Sequence, residues 1–141
     1  LLAEVVATEA DLHDGLFGPR AVAAAIVARV AGAPAAEVAG FALYFQNYST
    51  FRGRPGLYLE DLYVRPQYRG RGYGKALLAH LAGLAVDRGC ARMEWAVLDW
   101  NEPALFFYKK LGARPLDDWT IFRVTGSALD ELCGKAEATG V

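Results

Sequence analysis

The period of apolar and polar residues changes repeatedly along the chain, and each change marks an element. Thr8 followed by Asp11 reads as a helix start, and that helix covers residues 8–16 and ends near Gly15 or Gly18. Residues 21–30 and 38–48 are apolar and partly β-branched or aromatic. Gly32-Ala33-Pro34 separates them, so they read as two strands of a hairpin. After a turn at 52–56 comes a strand over 57–64, closed by Pro66. Leu77, Leu78, Leu81, Leu84 and Ala85 recur at three- and four-residue spacing, which predicts an amphipathic helix over 72–88 that stops at Gly89. Residues 92–98 alternate, with Met93, Trp95 and Val97 on one face, and predict another strand. Asn101-Glu102-Pro103 combines a cap, a first-turn acid and a proline that loses no helical hydrogen bond, so a helix follows to Leu111 and stops at Gly112. Residues 119–124 predict a last strand, and residues 127–135 a short terminal helix. The order β-β-β-α-β-α-β describes a mixed sheet with helices packed on it, an α/β or α+β fold.

Composition narrows this picture. A chain of 141 residues that is 54% hydrophobic and 22% charged has the makings of one packed domain, 1–141, and not of a disordered segment. With a net charge of −1, no global field draws in nucleic acid or an anionic membrane, so any anion site is local. No run of eighteen apolar residues and no cationic leader is visible, so neither a membrane span nor a signal peptide is expected. Cys90 and Cys133 lack metal-type spacing and read as buried or idle thiols of a reducing cytoplasm. No metal is expected.

One stretch carries chemistry. In Tyr68-Arg69-Gly70-Arg71-Gly72-Tyr73-Gly74-Lys75, glycines at every second position interleave with cations between a strand and a helix. Backbone N–H groups there point inward, the helix dipole adds positive potential, and glycine lets an anion approach without a Cβ in the way. The bland reading is a glycine-rich turn with surface arginines. Lys75 is followed by Ala76, which excludes a GxxxxGK[ST] loop, and the glycine spacing is not that of a dinucleotide fingerprint.

Arg69-Gly70-Arg71-Gly72-Tyr73-Gly74 resembles the Arg/Gln-x-x-Gly-x-Gly/Ala loop of the GNAT N-acetyltransferases, whose backbone amides hold the pyrophosphate of coenzyme A. Three further stretches, at 57–64, 98–103 and 107–113, follow in family order. Together they look like the diamine (spermidine/spermine) branch and its relatives, the thialysine acetyltransferases. The resemblance covers residues 5–124. It implies a GNAT fold, with a mixed and mostly antiparallel central sheet flanked by helices, acetyl-coenzyme A as cofactor, and a homodimer.

Further roles follow from the resemblance. Leu62, Tyr63 and Val64 flank the pantetheine, with a backbone N–H polarising the thioester carbonyl. The loop of Arg69, Gly70, Arg71, Gly72, Tyr73, Gly74 and Lys75 grips the pyrophosphate. Asn101, Glu102, Pro103, Ala104, Tyr108 and Lys110 complete the cofactor contacts. An alkyl amine with a pKa of about 10 is mostly an inert ammonium at neutral pH, so the reaction needs a base. Glu60 matches the family glutamate that meets the amine directly or through water, and partial burial is expected of it; the bland reading is a rim carboxylate. Strand alternation puts Glu60 and Asp61 on opposite faces. Tyr108 matches the tyrosine that protonates the departing thiolate, against a bland reading as a core residue. Ser49, Glu60, Asp61, Glu94, Trp95 and Asp118 (or Asp117) match acidic or substrate-lining positions. His13 and His80 match no role.

The chain departs from the polyamine pattern at Ser49-Thr50-Phe51, where those enzymes carry Asp-Pro-Trp. This stretch, like Leu98-Asp99-Trp100-Asn101, leans toward the thialysine branch, so a smaller diamine or amino-acid amine is as good a candidate as spermine. Family members also begin with a strand and a long helix before the position of Leu1, and without them the edge beside residues 22–30 is expected to be open. The expected activity is acetyl transfer to a small primary amine by direct attack in a ternary complex, and Cys90, outside the motifs, argues against an acyl-enzyme. The rivals are a protein lysine or N-terminal acetyltransferase, and a non-catalytic coenzyme A-binding module. A comparison of peptide with diamine separates the first, and retention of Glu60 and Tyr108 weighs against the second. Basic residues confined to one short loop disfavour nucleic-acid binding.

Overall fold

The 12-residue strand β2 (Val38–Ser49) organises the sheet: it pairs antiparallel with β1 (Ala24–Arg29) on one side and with β3 (Arg54–Val64) on the other. A parallel strand, β4 (Met93–Trp95), completes the order β1-β2-β3-β4. A parallel neighbour cannot be reached by a tight turn, and α2 (Tyr73–Asp87) supplies the crossover between β3 and β4. These elements belong to a computed structural model that describes residues 4–34, 37–136 and 140. The remaining helices are α1 (Glu9–Phe17), α3 (Glu102–Lys110) and α4 (Gly126–Gly134). Residues fall into two compact units, Leu1–Leu98 and Asp99–Val141.

In the first unit the core lies between α2 and the sheet. Leu77, Leu78, Leu81 and Ala85 are the buried stripe of α2, which packs on β1, β2 and β3. Ala39, Ala42, Tyr44, Leu57 and Leu59 are their buried strand counterparts. Each buried leucine contributes about 2 kcal/mol from apolar area removed from water. The Arg88 guanidinium at the end of α2 lies 5.8 Å from the centre of the Tyr44 ring, so Tyr44 and Leu59, its cross-strand partner, belong to the α2 face. The α1 start carries the expected capping box: Thr8 accepts from the Asp11 backbone, and the Asp11 carboxylate accepts from the Thr8 backbone. No helix among the described residues is long and apolar enough to cross a membrane.

Several expected boundaries move. The strand expected over 92–98 is three residues long, because its ladder with β3 ends at Trp95. The first strand begins at Ala24, not at residue 21, and lies at the sheet edge. The strand expected over 119–124 does not form: no ladder pairs it among the described residues, and Ile121 and Phe122 are 78% and 92% exposed. Strand propensity there has no neighbouring strand to satisfy it.

Candidate active site

Register along β3 decides where its carboxylates point. Tyr58 lies opposite Phe45 of β2 and Asp61 opposite Leu43, while Leu59 lies opposite Tyr44. Glu60 is therefore the extra residue of a β-bulge. Cross-strand partners share a face, so Tyr58 and Asp61 project away from α2 and Leu59 toward it. Burial follows the same switch. Leu57 and Leu59 are covered before the bulge, whereas Leu62 and Val64 are the more covered residues after it. Strict alternation of Glu60 and Asp61 is thus corrected: the bulge absorbs one residue, and both carboxylates are exposed. The partial burial expected of Glu60 is not found.

Three groups converge on the face away from α2. Glu94 of β4 lies beside Tyr58 in the parallel register, and Phe45 stacks on the Tyr58 ring with centroids 5.0 Å apart. Burial first, then the charges of Glu60 and Glu94, hold the Tyr58 phenol above the ordinary tyrosine range. The Glu94 carboxylate also accepts from Arg92 Nε at 2.8 Å. Trp95 pairs with Leu59, which assigns it to the other face, apart from Glu94. Ser49 is 2% exposed, and its Oγ accepts the Arg52 N–H at 3.2 Å, so its observed partner is the turn before β3. Tyr58 is the member that sequence reasoning missed. Its signal was the parallel between Tyr58-Leu59-Glu60 and Glu94-Trp95, which alternation alone could not register.

Beyond the bulge the β3–β4 ladder stops, its last pair being Leu59 with Trp95. The edge of Leu62, Tyr63 and Val64 that faces away from β2 therefore has no strand partner among the described residues. Pro66–Tyr68 then forms a 3₁₀ turn and leads into the glycine loop. Gly70 and Gly72 adopt φ of +76° and +87°, with Arg71 between them outside that region. Such alternation turns successive N–H groups to one side. Gly72 is the N-cap of α2 and brings no side-chain acceptor to the first-turn N–H groups of Tyr73, Gly74 and Lys75. Apart from its chain neighbours, a Cβ at Gly70 or Gly72 meets no heavy atom within 4 Å, so the space beside both glycines is open. The loop's cations are held on aromatic rings: Arg69 lies 5.7 Å from the centre of Tyr63, and Arg71 lies 5.6 Å from that of Tyr68. Arg69 Nε also donates to the Val64 carbonyl at 2.9 Å. Open glycine backbone, a helix N-terminus and two cations fit a pyrophosphate.

In the second unit, Asn101 caps α3 by accepting the Ala104 N–H at 3.3 Å, with Glu102 and Pro103 in the first turn. Tyr108 is half-buried on α3, its ring 5.4 Å from that of Phe107. Burial raises its phenol above the ordinary tyrosine range. Lys110, in the last turn, lies 5.4 Å from the centre of Phe106. Asp118 is exposed in a turn before residues 119–124.

Comparison with known proteins gives these features a context. The family model described as "Acetyltransferase (GNAT) family" matches residues 9–113. A thialysine N-epsilon-acetyltransferase of Bos taurus is 42% identical over 137 residues, covering 92% of this chain and 79% of its own length. An L-ornithine N5-acetyltransferase of Arabidopsis thaliana is 45% identical over 95 residues, covering 67% of this chain and 42% of its own length. Among solved structures, an integron cassette protein from the mobile metagenome of V. cholerae superposes with a TM-score of 0.76 at 30% identity, covering 90% of this chain and 78% of that one.

Proposed function

The chain belongs to the GNAT acetyltransferase family and is an N-acetyltransferase, and from that premise we propose that it transfers acetyl from acetyl-coenzyme A to a small cationic primary amine. The observation that carries this reading is the bulge at Glu60, which gives one face of the sheet two consecutive carboxylates beside Glu94 and Tyr58. That is an environment for an ammonium group. Relatives that act on thialysine and on ornithine, both small amino acids with a side-chain amine, favour a substrate of that size over a long polyamine.

In this reading the loop from Arg69 to Lys75 takes the cofactor's pyrophosphate, which the positive φ of Gly70 and Gly72 supports, and Asn101 to Ala104 and Lys110 are further cofactor contacts. Acetyl-coenzyme A supplies, when bound, the activated thioester. The edge of Leu62, Tyr63 and Val64 that lacks a strand partner among the described residues holds the pantetheine and offers an N–H to the carbonyl oxygen. Glu60 takes the amine proton, directly or through one water; its exposure favours the water route. Asp61 and Glu94 hold the substrate's cationic end. Tyr108, protonated at neutral pH, returns a proton to the departing thiolate. Attack is direct, with Cys90 uninvolved. The protein is assigned to the cytoplasm, where Cys90 and Cys133, both free, stay reduced. It is assigned a homodimeric state, in keeping with the resemblance to the diamine and thialysine branch.

A thiol-release screen over spermidine, putrescine, lysine, thialysine, ornithine and a histone-like peptide tests the reading. Preference for a small amino-acid amine supports it, and release with the peptide alone contradicts it.

A further inference from the structure

The anchoring of the glycine loop involves two residues that no step above uses. Tyr68 ends the 3₁₀ turn just before the loop, and its hydroxyl donates to the Glu37 Oε1, thirty-one residues earlier in the chain. Glu37 is itself fixed by its backbone: its N–H donates to the Pro34 carbonyl at 2.9 Å, and its carbonyl accepts from Val30 at 3.2 Å. The Tyr68 ring carries the Arg71 guanidinium and meets the Tyr73 ring edge-on, with centroids 6.0 Å apart. One phenol thus touches the loop's central cation and the first residue of α2, and it is tied to the end of the β1–β2 connection. Both Glu37 and Tyr68 are half-buried, so the hydrogen bond is partly shielded from water.

We propose that Glu37 and Tyr68 are positioning residues that hold the cradle from Arg69 to Lys75 in its anion-binding form before a ligand arrives. The inference rests on the reading of that loop as the coenzyme A pyrophosphate site. Its logic is preorganisation. Freezing a loose, glycine-rich loop during binding costs affinity, and a strut fixed in advance removes that cost. Electrostatics predicts the opposite sign, because a carboxylate behind an anion site repels the ligand, and removing it would tighten binding. The two contributions can therefore be told apart.

The test is calorimetric binding of coenzyme A to the wild type, Glu37→Ala, Glu37→Gln, Tyr68→Phe and the Glu37→Ala/Tyr68→Phe double variant. It is paired with hydrogen exchange of residues 69–75 in the free protein. Glu37→Ala and Tyr68→Phe each weaken binding by about three- to tenfold, the cost of one or two side chains that must be ordered on binding. The double variant is no weaker than the poorer single, because both changes cut the same strut. Glu37→Gln, which keeps an acceptor, stays within about twofold of wild type. The KM for acetyl-coenzyme A rises while kcat at saturating donor holds, and amides 69–75 exchange faster in Glu37→Ala and Tyr68→Phe. Unchanged exchange, tighter binding in Glu37→Ala, or losses that add in the double variant overturn the proposal. If the wild type binds no coenzyme A, the functional reading falls while the exchange data still decide the strut.

Discussion

Tyr58 and Asp61 project from the same face of the sheet although they stand three positions apart in one strand. A regular strand would send them to opposite sides. Glu60, the extra residue between them, changes the parity and so gathers acidic groups around a phenol that a neighbouring ring already covers.

Removing the Glu60 charge therefore lowers the Tyr58 pKa. Burial is the larger cause and remains, so Glu60→Gln moves the phenol part of the way back toward its ordinary value. Titration of the Tyr58 ring by NMR, assigned with Tyr58→Phe, checks this. An unmoved Tyr58 would mean that Glu60 does not face it.

Gly72→Val separates binding from folding. The position needs φ of +87°, so a branched residue costs about 1–2 kcal/mol of backbone strain. No protein atom obstructs the new Cβ, and the fold survives. The branch crowds the glycine loop instead, and coenzyme A binding is expected to be lost. Affinity within a few-fold of wild type, measured by calorimetry on the folded variant, would place the pyrophosphate elsewhere.

Tyr108→Phe removes the proposed proton donor and keeps the ring that lies beside Phe107. Turnover falls by about one to three orders of magnitude while cofactor affinity holds. Steady-state kinetics at saturating donor read this directly, and undiminished turnover removes Tyr108 from the chemistry.

The same two phenols set a sign for alkaline stability. Tyr58 and Tyr108 both have folded-state pKa values raised above the unfolded value. Their contribution is complete below the ordinary tyrosine pKa and is lost as pH rises through the raised values. Denaturant midpoints that fall on going from pH 9 to pH 11 in the wild type, and fall less in Tyr58→Phe/Tyr108→Phe, are expected; equal slopes contradict it.

Much of this was legible in the sequence wherever the signal was local. The Leu77, Leu78, Leu81 and Ala85 stripe, the Thr8 capping box and the Asn101 cap appear in the structure where their spacing puts them. The bulge left a trace too. In Leu57-Tyr-Leu-Glu-Asp-Leu-Tyr-Val64 the covered positions run 57, 59, then 62, 64, a parity change that strict alternation cannot explain. Contacts set by distant pairing were not legible. Trp95 is placed by its register with Leu59, and Tyr68 by an acceptor in another connection. Residues 119–124 show the converse, where a strand-like composition lacks a partner.

The central claim is acetyl transfer from acetyl-coenzyme A to a small side-chain amine, and its most direct test is product analysis by mass spectrometry alongside free-thiol release. With ornithine, lysine or thialysine as acceptor, one acetyl group is expected on the amine for each thiol released, and both are lost in Gly72→Val. Thiol release that is independent of any small amine, or product formed only on a peptide, would contradict it.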